Sequence, residues 1–359
     1  MLPLLRDDCT IVKRYLRGSE MTTAWMVSVR RGIAAVAVSG LLAGCAVQEA
    51  DIKSYRALAP LGADTLALMD AKHTTKAAPV LIRAYKKEAE LEVWKQAADG
   101  RFVLLKTYPM CRWSGQLGPK VREGDRQTPE GFYTVTQGSM NPNSAYYLSF
   151  GIGFPNAYDR AWGRTGNAIM VHGICSSAGC FSMTDPQIQE IYATVREALA
   201  AGQHAIQVQS FPFRMTAENL ARHRLDPNMA FWRELKHGAD HFEVTRREVP
   251  VGVCGKHYVF ASPKPGDKLD ATAACPPLEE DRSVEPQVVG RETRDLSDVA
   301  ALVAQGTKPI QLVYQDGGQN PVFAGRFPDV SRPEALEAGP REVVMTGPPA
   351  AVAKRPGLR

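Results

Sequence analysis

From Val80 onward the apolar residues recur in short runs broken by polar turns. Val80 to Tyr85, Leu91 to Trp94 and Phe102 to Leu105 have strand length, and Ala98-Asp99-Gly100 separates the last two. An Asp-Gly pair between apolar runs predicts a hairpin. Gly131 to Thr136, after the turn at Thr128-Pro129, predicts another strand, and the apolar run Ala168 to Val171 ends directly at His172-Gly173. The period then lengthens. Ile188, Ile191, Tyr192, Val195 and Leu199 share one face of a predicted helix with Asp185 as N-cap, Pro186 at its first position and Gly202 as its stop. Two shorter helices are predicted from Thr216 to His223 and from Met229 to His237.

The flanks read differently. Residues 46–77 read as a tether and an entry helix, with Leu58, Leu61, Leu66 and Leu68 lacking a firm period. Beyond the helices, PPLEEDRSVEP reads as a linker. Leu296 to Val303 then predicts a helix, and Ile310 to Val313, Asp316-Gly317-Gly318 and Val322-Phe323 predict a small hairpin. From about Gly339 the chain lacks a period and reads as a disordered tail. The layout expected is a signal segment over 1–45, the tether over 46–77 and a catalytic domain over 78–210. A helical, disulfide-bearing extension over 211–278, an appendage over 279–338 and the tail over 339–359 complete it.

Near the start, Arg30 and Arg31 precede an apolar run from Gly32 to Ala43 and then Cys45. A basic segment, a short apolar core and small residues are the pattern of a secretory signal, and the run is shorter than the ~20 residues of a relaxed membrane span. Leu42-Ala43-Gly44-Cys45 resembles the bacterial lipobox, which predicts lipidation at Cys45 and a lipid-anchored protein on the periplasmic side of the cell envelope. Ala46 after the cysteine points to the outer membrane. The charge of +5 falls to about +2 once residues 1–44 are removed, with no basic run to track a phosphate backbone, so nucleic acid is not an expected partner.

Of the seven cysteines, setting aside Cys9, ahead of the signal, and the lipid-bearing Cys45 leaves Cys111, Cys175, Cys180, Cys254 and Cys275. The odd count predicts one free thiol in an oxidising compartment. Cys254 with Cys275 is the most local pairing, and Cys111 with Cys175 would then leave Cys180.

The densest chemistry lies in Val171-His172-Gly173-Ile174-Cys175-Ser176-Ser177-Ala178-Gly179-Cys180. A thiol becomes a strong nucleophile beside a base or a helix N-terminus, and His172 and the helix after Asp185 offer both. Backbone N–H groups around Gly173, Ser177 and Gly179 could receive an oxyanion. Spacing alone leaves two other readings open: cysteines engaged only in disulfides and packing, and a metal site of His172, Cys175 and Cys180.

Several ordered blocks resemble the L,D-transpeptidase catalytic domain of the YkuD type. They are SGQLGPKVREGDRQTPEGFY from Ser114, LSFGIGFPNAYDRAWGRTGNAIMVHG from Leu148, and SAGCFSM from Ser177. The resemblance implies a mainly β, α+β fold of β-sandwich type with flanking helices, a nucleophilic cysteine at Cys180 and a proton-transferring histidine at His172, with no metal and no cofactor. Ala178 stands where the family's motif usually has His, Ser182 where it has Arg or Asn, and only eight positions separate His172 from Cys180. These features resemble the YafK-like murein branch, associated with hydrolysis of the amide joining a lipoprotein to peptidoglycan, while the wider family forms crosslinks. The partners implied are peptidoglycan stem peptides and a peptidoglycan-bound lipoprotein, with the membrane reached through the anchor. Arg126, Arg160 and Arg164 are candidates for gripping substrate carboxylates, and Trp113, Tyr158 and Trp162 for walling the cleft. The alternatives kept are a crosslinking or lipoprotein-attaching transpeptidase and a non-catalytic, lipid-anchored envelope-binding module.

Overall fold

The computed structural model describes residues 55–326 and 330–347. The chain forms two compact units, 1–58 and 59–359. Of the first, only 55–58 are described, in helical conformation. The expected signal segment and lipobox, Cys9, and the part of the expected tail beyond 347 lie outside the described residues. No described helix is long and apolar enough to cross a membrane.

The second unit runs α1 (Ala63–Ala71), β1 (Val80–Tyr85), β2 (Glu90–Gln96), β3 (Phe102–Pro109), β4 (Gly131–Val135), β5 (Met140–Asn141), β6 (Ser149–Gly151) and α2 (Ala157–Ala161). Next come β7 (Met170–His172), β8 (Phe181–Ser182), α3 (Asp185–Ala200), β9 (Ile206–Phe211), α4 (Ala217–His223) and α5 (Met229–Thr245). The short strands β10 (Gly252–Cys254), β11 (His257–Val259), β12 (Ser262–Pro263) and β13 (Leu278–Glu279) lead to α6 (Glu285–Ala304), β14 (Ile310–Val313), α7 (Pro333–Glu337) and β15 (Arg341–Val344). The fold is α+β.

Two sheets organise it: a five-stranded one in the order β3-β2-β1-β9-β4 and a four-stranded one in the order β5-β6-β7-β8. The predicted hairpin is β2-β3, with Gln96 opposite Phe102. Central strand β1 lies antiparallel to β2 and parallel to β9, and all six of its residues are buried, as a strand covered on both faces requires. Lys86 just beyond it forms a fully buried ion pair with Glu130 at 2.9 Å. Trp232 of α5 donates to the other oxygen of Glu130 at 2.8 Å, which satisfies the second half of that buried charge.

In the smaller sheet β7 and β8 run parallel, with Val171 opposite Phe181 and His172 opposite Ser182. Parallel neighbours normally need a crossover of a dozen or more residues. Here the connection is the eight-residue loop Gly173 to Cys180, so both of its ends are held by the same short sheet.

The structure corrects several elements. Thr184 caps α3 and Asp185 is its first helical residue; the Asp185 carboxylate instead accepts the Ile174 N–H at 2.9 Å. Helix α5 continues eight residues past His237, because Ala239, His241 and Phe242 extend its buried face. Helix α6 starts at Glu285-Pro286, inside the stretch that composition reads as linker, since Pro at the second position suits a helix start. Strand β14 pairs with β15, Ile310 opposite Val344, so the predicted hairpin to Val322-Phe323 does not form and residues 341–344 are ordered as a strand. Residues 321–323 are a 3-10 turn.

Candidate active site

The loop between β7 and β8 is fastened from three sides. Cys175 is disulfide-bonded to Cys111, at the end of β3. The Ser177 hydroxyl donates to the Cys180 carbonyl at 2.8 Å and lies 3.0 Å from the Ser114 hydroxyl. Ser331, far along the chain, donates its N–H to the Cys175 carbonyl at 3.2 Å and accepts the Ser177 N–H at 3.0 Å. A second disulfide is Cys254–Cys275, at a distance in sequence from the loop, and among the described residues Cys180 is the free cysteine.

Gly179 sits at φ +131°, a conformation that side chains with a Cβ rarely adopt. A Cβ there would lie 3.1 Å from Ile169 Cδ1 and 3.3 Å from the Gln127 carbonyl oxygen. Glycine thus lets the chain turn tightly against residues 127 and 169 and deliver the next side chain, Cys180, to the edge of β8.

Cys180 and His172 line one cavity of about 290 Å³, together with Lys120, Tyr146, Asn167 and Ala178. The thiol donates to the Ala168 carbonyl at 3.6 Å, and Sγ accepts the Met170 N–H at 3.4 Å. Burial pushes the Cys180 thiol above its ordinary value, against the opposing pull of the Met170 N–H and the charge of Lys120. These two groups stand where a helix N-terminus was expected. The N-terminus of α3 is closed locally, with the Thr184 N–H donated to Gln187 at 2.9 Å.

His172 is buried, and burial lowers its pKa while the Gly173 carbonyl opposes that shift. Its Nδ1 lies 2.5 Å from that carbonyl. A carbonyl can only accept, so Nδ1 carries the proton and Nε2 presents a lone pair. The Ser182 hydroxyl is 3.5 Å from Nε2 and spends its own proton on the Ser176 carbonyl at 2.6 Å. The Tyr146 ring packs on the imidazole with centroids 4.6 Å apart. The resting pair is a neutral thiol and a neutral, oriented imidazole.

Three groups suggested for oxyanion binding are otherwise engaged. The Gly173 N–H donates to the Tyr146 carbonyl at 3.0 Å, the Gly179 N–H to the Ser177 hydroxyl at 3.2 Å, and the Ser177 N–H to Ser331. They shape the loop rather than facing the cavity. None of the three arginines lines the cavity either. Arg164 is largely buried, paired with Asp159 at 2.8 Å and set over the Tyr158 ring at 5.1 Å. Arg160 donates to the Pro155 carbonyl. Arg126 donates to Asp316 at 2.7 Å and to the Ser177 carbonyl at 2.8 Å, so it grips the loop itself. Of the candidate cleft aromatics, Trp113 is buried against Tyr314, Tyr158 stacks on Tyr258, and Trp162 donates to the Lys256 carbonyl.

Sequence reasoning missed Lys120, Tyr146, Ser182, Asp316 and Ser331. Lys120 lies in the Ser114 block and is buried against Asp125 at 2.5 Å; a lysine followed five residues later by aspartate in a Gly-rich loop was the available signal. Asp316 and Ser331 act across the chain, and no local pattern marks them.

The model of the L,D-transpeptidase catalytic domain, YkuD, matches residues 76–208, which hold every strand from β1 to β8 and both His172 and Cys180. The Escherichia coli protein named "Putative L,D-transpeptidase YafK" is 44% identical over 192 residues, covering 54% of this chain and 78% of that protein. The chain belongs to the L,D-transpeptidase family. It is an enzyme of that family, and peptidoglycan is the substrate that the family implies. Among solved structures, the helical cell shape determining protein Pgp2 from Campylobacter jejuni aligns over 69% of this chain and 80% of its own, at 14% identity and a TM-score of 0.31. Bd1075 from Bdellovibrio bacteriovorus aligns over 39% and 50%, at 23% identity and a TM-score of 0.27.

Proposed function

We propose that this L,D-transpeptidase-family enzyme uses Cys180 as nucleophile and His172 as proton shuttle on a diaminopimelate carbonyl of the peptidoglycan stem peptide, with water as the final acceptor. The observation that carries the pair is their shared cavity, with His172 Nδ1 tied to the Gly173 carbonyl so that Nε2 is the basic atom. Nε2 takes the thiol proton as Sγ attacks the carbonyl carbon. The tetrahedral intermediate collapses, the C–N bond breaks, and the imidazolium returns the proton to the leaving amine. The Gly173 carbonyl, which accepts from Nδ1, favours the imidazolium while it lasts. Water then attacks the thioester, passes a proton to Nε2, and leaves a carboxylate and the restored thiol.

Water is favoured as acceptor by the shortness of the His172 to Cys180 connection. The rim contributed by Asn167, Ala168 and Ala178 is exposed, and the two alanines are small, so little wall stands on the side where an acceptor amine would have to be held and water excluded. The leaving amine on this reading is a lysine side chain of a peptidoglycan-bound lipoprotein. An enzyme acting there belongs on the periplasmic side of the envelope, which fits lipidation at Cys45. The crosslinking alternative uses the same two residues and differs only in the acceptor.

The test is a trapped intermediate. Incubation with a diaminopimelate-containing stem peptide and an acid quench is expected to leave a thioester on the Cys180 peptide, absent in Cys180→Ala. A modified residue elsewhere, or turnover by Cys180→Ala, overturns the assignment.

A further inference from the structure

Helix α6 rests on the protein with a single fully buried side chain, Val288, so apolar packing alone holds it weakly. At its first residue, however, Glu285 points at two imidazoles of α5. His237 and His241 are four residues apart and therefore on one helical face. His241 Nε2 lies 3.4 Å from Glu285 Oε2, and His237 Nε2 lies 3.9 Å from Glu285 Oε1. Donor atoms of the three residues all lie within 4.8 Å of one another.

Three further observations distinguish this cluster from an ordinary surface network. His241 is 5% exposed, and its Nε2 is buried without a hydrogen-bond partner of acceptable geometry, a cost that a ligand would remove. His237 Nδ1 is 2.8 Å from Glu292 Oε1 and donates there, so the neutral ring presents Nε2 as its lone pair. A carboxylate behind a ligating imidazole is the usual outer support of a metal site, fixing the ring and raising its basicity. The nearby cations are spent elsewhere: Arg291 on Asp240 at 2.8 Å, and Lys236 on Asp295 at 2.6 Å.

We propose that His237, His241 and Glu285 form a divalent transition-metal site, zinc by ligand type, that staples α6 to α5. Two imidazoles and a carboxylate suit zinc and disfavour magnesium or calcium, which take oxygen ligands. Tetrahedral bonds of about 2.0–2.1 Å place ligand atoms roughly 3.4 Å apart, the spacing His241 and Glu285 already have, while the other pairs close from 3.9 Å and from within 4.8 Å. A cavity of about 420 Å³ lined by His237, Glu285 and Glu292 leaves room for a water as fourth ligand. The site is separate from Cys180, and its role is structural.

The experiment uses the full-length chain without a histidine tag, stripped with chelator and titrated with Zn²⁺ while Tm is followed. Metal bound to the folded chain at a hundred times its Kd is expected to raise Tm by roughly 5 °C. About one equivalent should survive dialysis, Co²⁺ should give the visible bands of a tetrahedral site, and Mg²⁺ should do nothing. His237→Gln and Glu285→Gln should each abolish the shift, and both positions are partly exposed, so either variant can fold if one fails. No Zn²⁺ shift in the unmodified chain, or an equal shift in both variants, overturns the proposal.

Discussion

Asp316 Oδ2 accepts from Arg126 Nη2 at 2.7 Å across 190 residues of sequence, and through this contact the C-terminal part of the chain reaches the loop that carries Cys180. Arg112 at 3.1 Å and Arg332 at 3.2 Å converge on the same carboxylate, while its other oxygen accepts the Gly115 N–H at 3.2 Å. Arg112 is fully buried, so removing the Asp316 charge strands a cation in the interior. Asp316→Asn is predicted to lower stability by about 3 kcal/mol, as breaking one side of a buried pair does. Because Arg126 would then lose its anchor while still facing the Ser177 carbonyl, kcat should fall with KM little changed. Denaturant melts and steady-state kinetics check both.

The same carboxylate makes stability depend on acid. Burial raises the Asp316 pKa, but the Arg126 hydrogen bond and the charges of Arg112 and Arg126 outweigh it and hold the group below its ordinary value. A depressed pKa contributes stability above the unfolded value near 3.9 that is lost as pH falls through the folded value. Unfolding free energy should therefore drop below about pH 4, and Asp316→Asn should flatten that drop. An unchanged acid limb in the variant would contradict the assignment.

At His172 the shift runs in the same direction but bears on activity. Burial holds its pKa below the usual 6.5, so the basic form dominates at neutral pH, and kcat/KM should rise with pH along a limb centred below that value. The free enzyme's Cys180, raised by burial, should alkylate more slowly than free cysteine at pH 7 and faster toward alkaline pH. Rapid labelling at pH 5 would indicate a thiolate-imidazolium pair instead of the neutral pair.

The Cys111–Cys175 bond closes 64 residues and fixes the loop to β3. Replacing both cysteines with serine is predicted to cost roughly 2–4 kcal/mol and to reduce kcat more than it raises KM. Gly179→Ala, strained at φ +131° and crowded by Ile169, should cost about 1–3 kcal/mol and most of the activity. Thermal melts with kinetics on the same samples separate the two effects.

Much of the fold was legible because it is written locally. The Asp99-Gly100 turn, the apolar period of α3 and the run of blocks from Ser114 to Met183 each need only neighbours in sequence. The segment that brings His172 and Cys180 to one cavity is local for the same reason. What was not legible depends on partners far away. Arg126 reads as a candidate for gripping a substrate carboxylate until Asp316, distant in sequence, is placed beside it. Asp316-Gly317-Gly318 reads as a hairpin turn, but Trp113 bonds to Gly318 in both directions, so the turn docks on the catalytic domain and β14 finds β15 instead. The start of α6 was hidden by charged composition, since most of its surface stays in water.

Hydrolysis through Cys180 and His172 is decided by incubating the protein with purified peptidoglycan that carries covalently bound lipoprotein peptide and reading the products by mass. The expected products are released peptide with a free lysine amine and a diaminopimelate carboxylate left on the stem, with release lost in both Cys180→Ala and His172→Ala. New diaminopimelate crosslinks with no loss of bound lipoprotein would contradict water as acceptor, and release undiminished in Cys180→Ala would contradict the nucleophile.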